Sequence, residues 1–238
     1  GHTFISRTDD VAVTTDNINM TSGQIENVNL TGGGNAGDIL TLGNFVATFG
    51  GDVSIDDVET LNDAVSSRLV ANSLTITDAS TTIGTASDNL SALTVDVVDL
   101  TITGGGATFI SDVSNGLDLK TIETGASNVF ITSLNSGSIT NITDSSITTT
   151  GTVDLVAGGA GGTIGTLANK IILDDAASVN ATAANGAGGI FLTQEATGQP
   201  GLVIGATGLV SGTGGIQRPI STPVLTASAV SRPVVQWM

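Results

Sequence analysis

The tetrapeptide Thr82-Ile83-Gly84-Thr85 returns as Thr163-Ile164-Gly165-Thr166, 81 positions further along the chain. A stretch of similar length leads from each copy to a Gly-rich turn and a Phe-bearing segment. After the first copy this is Gly104-Gly105-Gly106-Ala107-Thr108-Phe109-Ile110-Ser111, and after the second it is Gly186-Ala187-Gly188-Gly189-Ile190-Phe191-Leu192-Thr193. A third such segment, Asn128-Val129-Phe130-Ile131-Thr132, places Phe130 21 residues after Phe109. Both spacings fit a unit of four turns, each about 20 residues long, the kind of fixed period that marks a stacked repeat architecture. One such turn cannot bury its own apolar side chains, whereas stacked turns bury them together and pair their backbones with the turns above and below.

The segments between turns are short. Val53-Ser54-Ile55, Leu74-Thr75-Ile76, Leu100-Thr101-Ile102, Leu117-Asp118-Leu119 and Val153-Asp154-Leu155 alternate apolar and polar residues, with Gly, Asn, Asp or Ser in the gaps. Alternation of period two over three to six residues predicts half-buried strands. Composition agrees: Gly, Thr, Val, Ile and Asp are abundant, while Lys occurs only at Lys120 and Lys170 and Glu only at Glu26, Glu59, Glu123 and Glu195. The fold class expected is all-β, a right-handed parallel β-helix with coils of about 20 residues. Phe109, Phe130 and Phe191 are expected to stack as a ladder in its core.

Two segments depart from the pattern. Val58, Leu61, Val65 and Leu69 stand at helical spacing behind Asp56 and Asp57, which are candidate caps, so the sequence predicts one short helix near residues 57–70. From Ala196 to Met238 there is no acid, while Arg218 and Arg232 are present and Pro219, Pro223 and Pro233 cluster with the only Trp, Trp237. The division expected is a solenoid over residues 1–215 and a distinct segment over 216–238. That segment either caps the last open edge or docks onto a neighbouring subunit, with Arg218, Arg232, Val234, Val235 and Trp237 as the assembly residues.

The run Val153-Asp154-Leu155-Val156-Ala157-Gly158-Gly159-Ala160-Gly161-Gly162-Thr163-Ile164-Gly165-Thr166, followed by Leu173, Val179 to Ala183 and Gly189-Ile190-Phe191-Leu192, resembles the shaft repeats of filamentous-haemagglutinin-like adhesins. The resemblance covers about residues 74–119 and 150–210. It implies a right-handed parallel β-helix exported to the bacterial surface, working in adhesion or as a stalk. The Asn-Pro-containing secretion motifs of that family's N-terminal domain have no counterpart, because the chain contains no Asn-Pro dipeptide. Ser22-Gly23-Gln24-Ile25-Glu26-Asn27-Val28-Asn29-Leu30 and Gly51-Asp52-Val53-Ser54-Ile55 are also similar to the triple-stranded shafts of phage tail fibres.

The residues that carry chemistry are few. The only His is His2, and Cys and Tyr are absent, so Ser–His–Asp and Cys–His arrangements and His/Cys zinc sites are excluded. A glycosidase needs only two carboxylates, but sugar platforms rest on Trp and Tyr, and Trp237 stands alone. The expectation is therefore a non-enzymatic chain with no cofactor. Acidic pairs at Asp9-Asp10, Asp56-Asp57 and Asp174-Asp175 make calcium the one ion to consider, with Asp56, Asp57, Asp174 and Asp175 as candidate ligands.

The chain has 22 acids against 6 bases and a formal net charge of -16. Such a surface repels nucleic acid, whose phosphates need Lys and Arg to displace counterions. No apolar run approaches the length required to span a bilayer. The functional expectation is a secreted or cell-surface bacterial structural protein, a fibre or filament subunit or an adhesin shaft that self-associates. The alternatives are a module binding a glycan or host protein, a phage tail-fibre shaft and, behind these, a solenoid polysaccharide-degrading enzyme.

Overall fold

The computed structural model describes residues 2–6, 13–14, 18–20, 27–31, 39–43, 45–47, 51–64, 67–86, 92–135, 137–142, 145–195 and 202–217, with side chains from residue 39 onward except at 45–47 and 217. Every strand pair in it is parallel, and no helix occurs among the described residues. The chain is a parallel β-solenoid whose coils stack into two long sheets.

The first sheet runs through Asp52–Asp56, Ser73–Thr77, Asp99–Thr103, Leu117–Gly125, Ser146–Thr149 and Ile171–Asp174. Alternation along each strand sends every second side chain inward. Register then places like over like. Val53, Leu74, Leu100 and Leu119 form one row, and Ile55, Ile76, Ile102, Ile122, Ile147 and Leu173 form another. None of these ten side chains is more than 2% exposed. At about 1.5–3 kcal/mol for each fully buried Val, Leu or Ile, these rows dominate the stability of the stack. The second sheet answers with Leu61, Ile83, Thr108, Val129, Val153 and Val179 in one row and Leu93, Ile110, Ile131, Leu155 and Ala181 in the next.

Coil length is not constant, and the two Thr-Ile-Gly-Thr copies explain why. Thr82–Ile83 and Leu93–Asp96 both pair with one continuous strand of the coil above, Ala107–Asp112, so the ladder is interrupted after Ile83 and resumes at Leu93. Ile164 and Ile171–Asp174 relate in the same way to Ile190–Gln194, with residues 165–170 as the excursion. Gly84 and Gly165 begin the two interruptions at φ 69° and 68°. A Cβ added at either would stand 2.5 Å from a carbonyl oxygen, that of Phe109 or Phe191. Only glycine fits both the conformation and the space. Thr108 therefore follows Ile83 by 25 residues, while Val129 follows Thr108 by only 21.

This geometry corrects the four-turn unit. From Ile83 the second sheet rises through Thr108 and Val129 to Val153 in three coils, and Ile164 then lies in the first sheet. The recurrence marks one corner device used twice on different sheets, and the coil averages about 22 residues.

Two further expectations are corrected. The segment predicted as a helix forms the strands Thr60–Asp63 and Leu69–Val70. Val58, Leu61 and Leu69 are buried, but through extended backbone that pairs Leu61 with Ile83 and Leu69 with Val95. Inter-coil pairing overrides a local spacing that only imitates a helix. The Phe ladder is likewise not in the core. Phe109 and Phe130 pair in register, but each is half-buried between inward neighbours, Thr108 and Ile110, and Val129 and Ile131. Phe191 is half-buried too and belongs to the first sheet. The core rows are mainly aliphatic, and the rings occupy the outward phase of their strands.

Ile102→Ala should lower stability by about 2–5 kcal/mol, because its row is closed on both sides and cannot collapse into the cavity. Gly165→Ala should destabilise through backbone displacement, while Gly105→Ala, where nothing lies within 4 Å of an added Cβ, should leave stability nearly unchanged. Urea unfolding of the three variants checks both expectations.

Candidate functional site: acidic corners of the solenoid

Four strands of the first sheet end at residues that share one local problem. Asp57, Asp78, Gly125 and Asp175 adopt φ of 54°, 55°, 59° and 61°. The left-handed region suits Gly, and Asp is among the few other residues that tolerate it. The corner amides pair upward, Asp57 N–H to the Thr77 carbonyl at 3.2 Å and Asp78 N–H to the Thr103 carbonyl at 2.7 Å. An Asp is thus chosen by backbone geometry, and stacking brings its charge close to the next one.

Asp56, Asp57 and Asp78 are the result. One carboxylate oxygen from each lies within 4.8 Å of the others. Burial holds the Asp56 carboxyl above the ordinary carboxylate value, and the charges of Asp57 and Asp78 push it further, against a lowering hydrogen bond from the Asp57 backbone. Two of the candidate calcium ligands, Asp56 and Asp57, are therefore brought together, and Asp78 joins them. Asp174 and Asp175 sit at the equivalent corner several coils away, where Asp174 pairs with Thr148, and they form no three-acid cluster among the described residues. Calcium takes six to eight oxygens, so three carboxylates make at most a partial shell. Asp9 and Asp10 lie outside the described residues, as do the assembly candidates Arg218, Arg232, Val234, Val235 and Trp237 and the rest of the C-terminal segment beyond Gln217.

The outward side of the first sheet is a strip of small polar groups. Ser54, Thr75, Thr101 and Thr121 form its middle row, all half-buried. Asp52 at its edge accepts hydrogen bonds from Ser73 Oγ at 2.7 Å and Asn72 Nδ2 at 3.2 Å. Two basic side chains are held locally: Lys120 Nζ lies 2.7 Å from Asp99, and an Arg68 guanidinium nitrogen 3.4 Å from Asp96.

One acid points the other way. Asp112 stands in the inward row with Val95 and Ser133 and is 0% exposed. Its carboxylate accepts the Ser114 backbone N–H at 3.1 Å and the hydroxyls of Ser114 and Ser133, each at 2.9 Å. Burial still raises its pKa above the ordinary 3.8, these hydrogen bonds oppose the rise, and Asp96 adds to it. Asp63, which accepts the Thr94 N–H at 3.0 Å, is raised for the same first reason.

Sequence reasoning missed Asp78 and Asp112. Asp78 was findable, because Val53-Ser54-Ile55-Asp56-Asp57, Leu74-Thr75-Ile76-Thr77-Asp78 and Leu100-Thr101-Ile102-Thr103-Gly104 align as one strand-and-corner motif. Asp112 carries no such signal, because the Ser-Asp step that ends its strand reads as the start of a turn. No family model matches the chain, and comparison with curated proteins and with solved structures finds no similar protein.

For Asp56, Asp63 and Asp112 the folded chain keeps its proton at pH values where the unfolded chain has already lost it. Their contribution is complete below pH 3.8 and is lost as pH rises through the higher folded values. Thermal unfolding should therefore show a higher Tm in mildly acidic buffer than at pH 7. Asp112→Asn should flatten that slope and leave Tm at pH 7 unchanged or raised. Asp78→Asn, which relieves repulsion at the corner, should raise Tm by roughly 1–2 °C in chelator-containing buffer.

Proposed function

We propose that the chain is a non-enzymatic structural rod, part of a secreted or cell-surface bacterial fibre or adhesin shaft, that associates end to end. The observation that carries this reading is the continuous stack: parallel pairing runs coil after coil, with buried, mainly aliphatic rows inside and small hydroxyls and carboxylates outside. Length in such a design is gained by adding coils, and each coil presents the same two edges to its neighbours. The resemblance to adhesin shaft repeats supports the same role, as does the poverty of the sequence in groups for covalent or acid–base catalysis.

The last described coil supports the end-to-end association. Leu202, Ile204, Leu209 and Ile216 pack against the core but remain partly buried, whereas the rows beneath them are closed. Exposed sheet ends invite pairing with further strands. Residues 218–238 follow directly, about one coil's length of chain with two short apolar runs, Val224-Leu225 and Val234-Val235. Their two Arg and lack of acids match the acidic body of a second copy, and a head-to-tail contact of this kind extends into a filament when the rotation between copies closes no ring.

Sedimentation and electron microscopy of the full chain and of a version ending at Gln217 test the reading. The full chain should form rods whose length grows with concentration, and the shortened chain should not. A full chain that stays monomeric at every concentration overturns the association. Selective retention on a glycan array would favour a binding module instead.

A further inference from the structure

The chain contains two Asn-Gly steps, Asn115-Gly116 and Asn185-Gly186, and the fold treats them differently. In an Asn-Gly step the glycine amide nitrogen has no side chain beside it to hinder its approach to the Asn side-chain carbonyl. Reaction there needs an acceptor for the amide proton. At Gly116 one is in place: its N–H donates to Ser114 Oγ at 3.1 Å. The same oxygen lies 2.9 Å from Asp112 Oδ2 and 2.8 Å from the Gly116 carbonyl oxygen, so the Ser114 hydroxyl has two acceptors in reach, one of them a buried carboxylate. Asp112 is fixed in turn by the Ser114 N–H and the Ser133 hydroxyl. Asn115 itself is exposed. The other step is clamped. The Asn185 side-chain nitrogen donates to the Gly158 carbonyl, the Asn185 backbone carbonyl accepts the Gly161 N–H at 2.5 Å, and the Gly186 carbonyl accepts the Thr213 N–H at 2.8 Å.

We propose that residues 112–116 form a self-modifying turn, in which the Gly116 amide nitrogen attacks the Asn115 side-chain carbonyl while Ser114 and Asp112 take its proton. The nitrogen's electron pair forms the N–Cγ bond of a succinimide. The amide proton passes to Ser114 Oγ as the Ser114 hydroxyl proton passes to Asp112. The Cγ–Nδ2 bond breaks, its electron pair leaves with the side-chain nitrogen, and a proton from water completes ammonia. Water then opens the ring at either carbonyl, giving aspartate or isoaspartate at position 115, and Asp112 returns its proton to solvent. Ser114 touches the reacting nitrogen, and Asp112 acts through it as a positioning residue. The product adds a carboxylate at an exposed turn and, in the isoaspartyl form, one extra backbone atom.

The test is peptide mapping by mass spectrometry, with isoaspartate detection, of the full chain aged in neutral buffer. Asn115 should convert about a hundredfold or more faster than Asn185, the low side of what a positioned proton acceptor supplies. Ser114→Ala should remove most of that advantage and Ser114→Thr should restore it, with the rate at Asn185 unchanged as the internal measure of an intact fold. If Ser114→Ala does not fold, Asp112→Asn takes its place with the same expected slowing. Conversion at Asn115 no faster than at Asn185, or undiminished by loss of the hydroxyl or the carboxylate, overturns the proposal.

Discussion

Parallel pairing between successive coils is the constraint on which everything else in this chain rests. A parallel ladder fixes which residue stands above which, and it does so with backbone groups that every residue carries. Once Ile76 is paired with Ile102, and Ile102 with Ile122, their side chains have no choice but to form a row. The row then repays the pairing by excluding water from the strands on either side. Neither half is stable alone, since an isolated coil has no partner for its amides and no cover for its apolar side.

Variation is tolerated where it does not disturb that ladder. The interruptions after Ile83 and Ile164 lengthen a coil without breaking register, because a glycine follows each and the pairing resumes on the same continuous strand above. Charge is handled in the same spirit. Most described acids face outward or sit at corners, where left-handed backbone favours Asp over larger residues. The repulsion among Asp56, Asp57 and Asp78 is accepted there because the corner has few other residues that fit.

The solenoid was legible because its cause is local and repeated: short alternating strands, Gly and Asp at corners, and a spacing near one coil. What misled was pattern without partners. Val58, Leu61 and Leu69 imitate a helix, and only the coil above shows that Leu61 belongs under Ile83. The Phe residues recur at equivalent positions because each directly follows an inward residue, Thr108, Val129 or Ile190, which puts the ring outside; spacing alone does not give the phase. The burial of Asp112 was invisible for the opposite reason, since a single inward polar residue leaves no periodic trace. Of the candidate site, the Asp56-Asp57 pair could be read directly, while Asp78 enters it only through stacking.

The short reach of the pairing has a consequence for how such a chain comes to be folded. Each strand needs only the segment one coil before it, so loop closure is repeatedly paid over 17 to 28 residues and never over the whole length. Once a few coils have formed, growth can proceed as a front moving along the chain, each new coil templated by the last. A chain delivered from one end, whether by a ribosome or through a narrow pore, would then fold in the order in which it emerges.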